Sequence, residues 1–448
     1  MSDPAASAAP RARAPLMALD DAVARLLAEA APLQEVEQLS TFEADGRVLA
    51  QDLVAGLTVP PRDNSAMDGY AVRLADCTGD AVLPVSQRIP AGTVGQPLAA
   101  GTAARIFTGA QVPEGADAVV MQEDTEAIAG DGLGQVRIRP VPRPGQNIRR
   151  AGEDVQAGTT VLARGERLTP QALGLAASIG FAKLPVVRRP RVALLSTGDE
   201  LVMPGEVPPE HMPPGAIYNS NRFFMRGLLQ RLGCEVQDLG LVPDRLDATI
   251  DALRAAAARN DLIITTGGVS VGEEDHVRAA VQALGTLDLW LVAMKPGKPF
   301  AYGSIASPSS RREAPNGRTP PWPPRQAGGE GPVETKCHVC GLPGNPVSSF
   351  MTFLLLVRPF LLALQGASRT APQAVTMRAD FDWPRPDKRR EFLRVRTTAE
   401  GGLALFPNQG SGVLTSTVWG DGVVDNPGGQ AIARGDTVRF VPFSAWLA

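Results

Sequence analysis

The stretch TTGGVSVGEEDHV, residues 265–277, sets two opposed chemistries side by side. Gly267 and Gly268 follow an apolar run and, with Ser270, offer bare backbone amides, which attract anions. Glu273, Glu274 and Asp275 come next and repel the same anions. Both halves can serve one ligand if a divalent cation lies between anion and acid. Four other short stretches carry related chemistry. STGDE (196–200) brings Glu200, and Pro243-Asp244 brings a second acid. KPGKP (295–299) carries Lys295 and Lys298, and GLPGNP (341–346) leads into an apolar helix with Ser348 near its start. Together these groups suit a phosphate-bearing ligand with a divalent cation: amides and lysines for the phosphate oxygens, carboxylates for the metal. Taken singly, each has a plainer reading. A glycine pair makes a tight turn, Asp275 caps a helix, and two lysines are an exposed pair. What separates the readings is whether the five stretches share one edge of one sheet.

The elements expected around them put them there. Arg191–Ser196 (RVALLS) reads as a continuous apolar strand. A helix starts at Asn221, carries Phe224, Leu228, Leu229 and Leu232, and stops at Gly233. Strands at 234–240, 261–266 and 286–293 alternate with helices at 245–258, 275–284 and 346–364. Apolar strands alternating with amphipathic helices predict a parallel α/β sheet, whose ligands bind beyond the carboxyl ends of the strands. Upstream, a helix is expected near 20–30 with Val23, Leu26, Leu27 and Ala30 on one face. Residues 47–60 read as strand and loop, and 70–165 as short Val/Ile segments between Gly and Pro turns. Thr169-Pro170 opens a second helix that Gly180 ends. The two helices are expected to pair as a stem into which the β-domain is inserted. Residues 306–336, with seven prolines and four glycines, read as a disordered surface excursion. Residues 371–448 return to β-like alternation, as a separate small barrel or sandwich.

Length and composition bound the function. A chain of 448 residues accommodates about three or four domains. A net charge of −3 gives no basic field for nucleic acid or an anionic membrane. The apolar run Phe353–Leu364 is interrupted by Arg358 and Pro359, is too short to span a bilayer, and predicts a buried helix. Residues 1–15 are Ala/Pro-rich without an apolar segment and read as a disordered tail rather than a signal peptide. Four cysteines without a secretion signal predict a reducing cytoplasmic setting. Cys337-His338-Val339-Cys340 resembles half a zinc site, but no second half accompanies it, so a core strand is the favoured reading.

Seven stretches in order carry a resemblance to a known family. They are PRDNSAMDGYAV (61–72), RIFTGAQVPEGADAVVMQED (105–124), RRAGED (149–154), LSTGDEL (195–201), TTGGVSVGEEDHV (265–277), KPGKPFAYG (295–303) and GLPGNPVS (341–348). The chain resembles the molybdopterin molybdenumtransferases, which include the E domain of gephyrin, from about residue 17 to 446. The resemblance implies a multidomain α/β and β fold. Its parts would be a tail (1–16), a helical stem (17–60 plus 155–189), an inserted β-domain (61–154), a molybdopterin-binding parallel α/β domain (190–370) and a C-terminal β-barrel-like domain (371–448). It implies a cytoplasmic homodimer whose cleft joins the α/β domain of one subunit to the inserted domain of the other. The reaction implied is insertion of molybdate into adenylylated molybdopterin, with Mg²⁺ and release of AMP, and the molybdopterin adenylyltransferase is a candidate second partner. Matched positions give Asp68, Thr108, Asp275, Lys295 and Lys298 as catalytic. Gly267, Gly268, Ser270, Asp154, Ser348, Arg389 and Ser411 would bind substrate, and Glu200, Asp244 and Asp275 the metal. Arg389 and Ser411 match less distinctly. Two departures stand out: the 306–336 excursion is longer than the family's usual connection, and His276 replaces a frequent aromatic residue, which assigns it to packing. Two alternatives stay open, a non-catalytic scaffold of the gephyrin type and a molybdopterin adenylyltransferase.

Overall fold

Thr169 opens its helix as the sequence predicts. Its hydroxyl accepts a hydrogen bond from the Ala172 amide at 3.3 Å, Pro170 takes the first helical position, and Gly180 turns the chain at φ 89°. The computed structural model describes residues 16–139, 141–243, 245–267, 276–306 and 336–447. These fall into two compact units: Gln38–Asp45 with Leu49–Val186, and the rest. The first helix, α1 (Leu19–Ala28), belongs to the larger unit.

The smaller unit is built on a six-stranded sheet. Its strands are β1 (Gly69–Val72), β2 (Val82–Ile89), β3 (Ala103–Ile106), β4 (Ala118–Met121), β5 (Thr125–Ile128) and β6 (Gln135–Ile138), in the order β4-β1-β3-β2-β6-β5. The Thr169-capped helix, α2 (Pro170–Ser178), buries Ala176 among Leu49, Leu53, Leu162, Leu168, Leu184 and Val186. The buried face of α1, with Leu19, Ala22 and Leu26, instead enters the core of the larger unit beside Phe360, Leu361 and Leu364. Mutual pairing of the two helices is therefore not what buries either face, contrary to the sequence expectation. Both are amphipathic, and periodicity identifies a buried face without naming what covers it.

The larger unit holds the expected α/β succession. It runs β7 (Arg191–Ser196), α3 (Asn221–Arg231), β8 (Glu235–Leu241), α4 (Leu246–Ala257), β9 (Leu262–Thr266), α5 (His276–Leu284), β10 (Gly285–Leu291), the short β11 (Met294–Lys295), β12 (Pro299–Ala306), β13 (Lys336–Leu342) and α6 (Pro346–Leu364). The sheet order is β8-β7-β9-β13-β12-β10. The first four strands are mutually parallel, and β12 runs antiparallel to both its neighbours. Gly233 ends the α3 segment at φ 77°, as its position predicts. Ala306 and Lys336 are register partners, so β12 and β13 leave the sheet side by side. Residues 307–335, the body of the expected excursion, lie outside the described residues.

The Cys337–Cys340 run lies in β13. Both thiols are buried and free, and burial pushes them well above the ordinary thiol range. Burial also holds His338 down at about 4, and its Nδ1 lies 2.8 Å from the Tyr302 hydroxyl. α6 is apolar enough to cross a membrane by length and composition, but 83% of it is buried in the protein, with a π turn at Phe353–Val357. It is a core helix.

The remaining strands are β14 (Val375–Ala379), β15 (Arg390–Thr397), β16 (Gly402–Leu405), β17 (Gly422–Asn426) and β18 (Thr437–Pro442). The order β15-β16-β14-β18-β17, with β17 pairing back onto β15, closes a five-stranded barrel. β11 adds to this barrel as an extra strand parallel to β15, with Lys295 opposite Glu391.

Candidate active site

Register aligns the ends of the parallel strands. Ser196, the last residue of β7, pairs with Leu241 of β8 and Thr266 of β9, and Thr266 pairs with Leu342 of β13. The segments that follow Ser196, Leu241, Thr266 and Leu342 therefore leave from one row. A 3.0 Å hydrogen bond between the Ser196 and Thr266 hydroxyls ties two of these ends together. Gly267 sits at φ 94°, and a Cβ there would lie 3.0 Å from the Thr197 carbonyl, so this turn requires glycine. Its amide donates to the Leu342 carbonyl at 3.1 Å, so that N–H is used within the protein. Gly268, Ser270, Asp275 and Asp244 lie outside the described residues. Glu200 is exposed on its loop, and its carboxylate lies against Gly198. His276 is half-buried at the first position of α5.

The loop between β13 and α6 is held from two sides. Asn221, at the start of α3, donates to the Gly344 carbonyl at 2.7 Å. The Val347 amide, in the first turn of α6, donates to the Ser411 carbonyl at 2.9 Å, which brings Ser411 to the same helix end as buried Ser348. The lysine loop packs against this helix: a Cβ on Gly297 would lie 2.6 Å from Thr352 Oγ1 and 3.2 Å from the Ser348 carbonyl. Lys298 is half-buried and has no ion-pair partner among the described residues. Lys295 Nζ lies 3.2 Å from Glu391 Oε1 and 3.5 Å from Asp387 Oδ2.

Arg389, expected from the sequence to bind substrate, pairs locally with an acid two residues away. Its guanidinium makes a fork with Asp387, at 3.0 and 2.8 Å, and this holds the Asp387 carboxyl far below the usual carboxylate range. The arginine that reaches the turn bearing Ser411 is Arg394. It is 1% exposed and bonds neutral acceptors: Ser416 Oγ at 3.1 Å, the Phe392 carbonyl at 3.0 Å and the Gly410 carbonyl at 3.2 Å. Burial lowers its pKa to about 10. Sequence reasoning missed Arg394, Glu391 and Asp387. For Glu391 and Arg394 the available signal was REFLRVRT (390–397), charges set among apolar residues of one strand, where a buried charge needs a stated partner; Asp387 lies before this stretch and carried no such signal.

Three of the matched stretches meet in the smaller unit. Gly69 pairs with Ile106 and Met121, and the Ser65–Asn64 pair faces Ile148 and Arg149. Asp63 accepts from Arg150 Nη1 at 2.7 Å and from the Ala151 amide at 2.8 Å, which closes the RRAGED turn onto the first stretch. Asp68 and Thr108, 40 residues apart, are joined directly. The Thr108 amide and hydroxyl both donate to Asp68 Oδ1 at 2.7 Å. These two donors hold the Asp68 carboxyl below its ordinary range, with the charge of Arg105 adding to the effect. Asp154 is exposed, and its amide donates to the Val59 carbonyl at 3.1 Å.

Comparison with known proteins covers nearly the whole chain. Residues 17–180 match the MoeA N-terminal region (domain I and II), 193–363 a probable molybdopterin binding domain, and 376–443 the MoeA C-terminal region (domain IV). The molybdopterin molybdenumtransferase of Haemophilus influenzae is 37% identical over 440 residues, covering 96% of this chain and 100% of that protein. Molybdopterin molybdenumtransferase 2 of Mycobacterium tuberculosis is 40% identical, covering 81% of this chain and 84% of that one. The crystal structure of the molybdopterin biosynthesis moeA protein from Pyrococcus horikoshii superposes with a TM-score of 0.76 at 28% identity, covering 96% of this chain and 100% of that one. The chain belongs to the molybdopterin molybdenumtransferase family.

Proposed function

We propose that this chain inserts molybdate into the dithiolene of adenylylated molybdopterin, with Mg²⁺ and with release of AMP, in a cytoplasmic homodimer. It is an enzyme of molybdenum cofactor biosynthesis. The observation that carries the reading is the single row of strand ends, Leu241, Ser196, Thr266 and Leu342, from which acid, glycine-turn and helix-end loops depart together. The donors proposed for Mg²⁺ are hard carboxylate oxygens, as that ion prefers. Glu200, Asp244 and Asp275 follow β7, β8 and β9, three adjacent parallel strands, and the Glu200 carboxylate is exposed. The carboxylate chemistry of this set fits the ion. Among the described residues no cluster of three or more His, Cys, Asp or Glu is preformed, so the proposed set depends on Asp244 and Asp275.

The chain's own residues supply binding and orientation. The glycine turn that begins at Gly267 would approach the phosphate or pterin end of the substrate through backbone. Lys295 and Lys298 act as point charges for molybdate or phosphate oxygens. Ser348 and Ser411, at the α6 end, line the same edge. Asp68, kept ionised by Thr108, would complete the site of a partner copy in the dimer. Mg²⁺, when bound, would screen the acids from the phosphates and polarise the phosphoanhydride.

Asp275→Asn tests this reading. Asn caps a helix about as well as Asp but is a poor Mg²⁺ ligand. The expected outcome is an unchanged melting temperature with a rate loss of order a hundredfold or more, across a Mg²⁺ series. If the variant turned over like wild type at every Mg²⁺ concentration, Asp275 would not be the metal residue.

A further inference from the structure

Lys295 and Glu391 form an asymmetric pair. The Glu391 side chain is 1% exposed, whereas that of Lys295 is 37% exposed. Both carboxylate oxygens are engaged: Oε1 faces Lys295 Nζ at 3.2 Å, and Oε2 accepts from Trp383 Nε1 at 2.7 Å. The tryptophan is itself fixed, its backbone bridged to Ile432 by hydrogen bonds in both directions. The carboxylate is therefore sealed and held from behind, and the ammonium projects from it to the surface. The parallel pairing of β11 with β15 places the two residues opposite one another.

A buried carboxylate is costly unless it is paired, and an apolar pair of similar volume often serves a fold as well. The pair is thus poorly explained by stability. It is well explained by direction. A lysine side chain has four flexible carbons and loses much rotamer freedom when fixed. A fixed anion behind it supplies that restraint before substrate arrives, as preorganised sites require. Asp387, the second acid near Nζ, is already forked by Arg389. Two cations and two anions make the cluster neutral as a whole, so its contribution to anion handling is where Lys295 points rather than excess charge.

We propose that Glu391 is a positioning residue for the reaction: the barrel, through Glu391 and Trp383, aims Lys295 at the oxyanion it handles. This rests on the proposed role of Lys295, and the variants are chosen to separate the two ideas. Glu391→Gln keeps the shape and can still accept from Trp383, but presents an amide or a neutral oxygen to Nζ. Because it removes a negative charge, it leaves the KM for molybdate unchanged or lower, while kcat falls about tenfold to a hundredfold. A merely structural role lowers the melting temperature and raises KM, or moves neither. Lys295→Met tests the parent reading and should itself lose activity. The double variant should be no worse in kcat than Lys295→Met, since a residue acting only through another adds nothing once that one is gone. Wild-type activity in Lys295→Met sinks the role of Lys295. Loss in Lys295→Met with wild-type kcat in Glu391→Gln sinks the positioning role alone, as does a double variant slower than Lys295→Met. If Glu391→Gln fails to fold, the double variant decides: folding with the kinetics of Lys295→Met supports the proposal, and failure to fold overturns it.

Discussion

At the scale of single residues, the Asp68–Thr108 pair gives the sharpest handle on pH. Two donors from Thr108 hold the Asp68 carboxyl below its ordinary range, so it stays ionised to lower pH than a free aspartate. Thr108→Val keeps the amide and removes the hydroxyl. The carboxyl pKa should rise, and the acid limb of the pH–activity profile should move to higher pH, with activity near neutrality largely kept. Asp68→Asn should be inactive at every pH. An acid limb that stays in place in Thr108→Val while Asp68→Asn is dead would show that Asp68 does not set that limb. The strand-end part of the candidate site was legible because Gly, Asp and Lys cluster in turns that follow apolar strands. The barrel contribution was not. Glu391 and Arg394 lie inside a strand whose apolar neighbours give the pattern, and their roles depend on a register with Lys295 and a contact with the 410–411 turn. The pairing of Arg389 with Asp387 was hidden for the same reason: it is a local choice between several neighbouring charges.

At the scale of elements, the lysine loop and α6 form one packed assembly. Gly297 adopts φ 103°, and a Cβ there would meet Thr352 Oγ1 at 2.6 Å and Met294 Cε at 2.8 Å. Gly297→Ala should therefore cost about 1–3 kcal/mol in denaturant unfolding and lower activity, because the loop bearing both lysines must shift. A Cβ on Gly344, in the neighbouring loop, would meet nothing within 4 Å, so Gly344→Ala should be close to neutral in stability. Equal stability of the two variants would contradict the packing described for the lysine loop. Helices were readable where a cap or stop coincides with a break in periodicity, as at Thr169 for α2 and Gly233 for α3. β12 was not recognised as a strand. It is a continuous buried run, PFAYGSIA, with no helix before it, and it enters the sheet antiparallel. The burial of α1 was likewise open, since an amphipathic face is compatible with any apolar partner.

At the scale of the whole molecule, seven stretches spread over nearly 300 residues serve one proposed reaction. The chain order of the matched regions and the 37% identity to the Haemophilus influenzae protein make the family plain. Sequence order alone says less about assembly, because the Asp68–Thr108 pair and the strand-end row belong to different units. A second copy that completes the site is the proposed answer, and light scattering should return twice the chain mass. The central claim is the reaction itself. It is tested most directly by incubating the purified protein with molybdate and Mg²⁺, and with either adenylylated or unmodified molybdopterin, while measuring molybdenum cofactor and AMP. The expected result is cofactor from the adenylylated substrate, with AMP released mole for mole, and far less from the unmodified one. Equal yields from both substrates, or no yield above a protein-free control, would contradict the account.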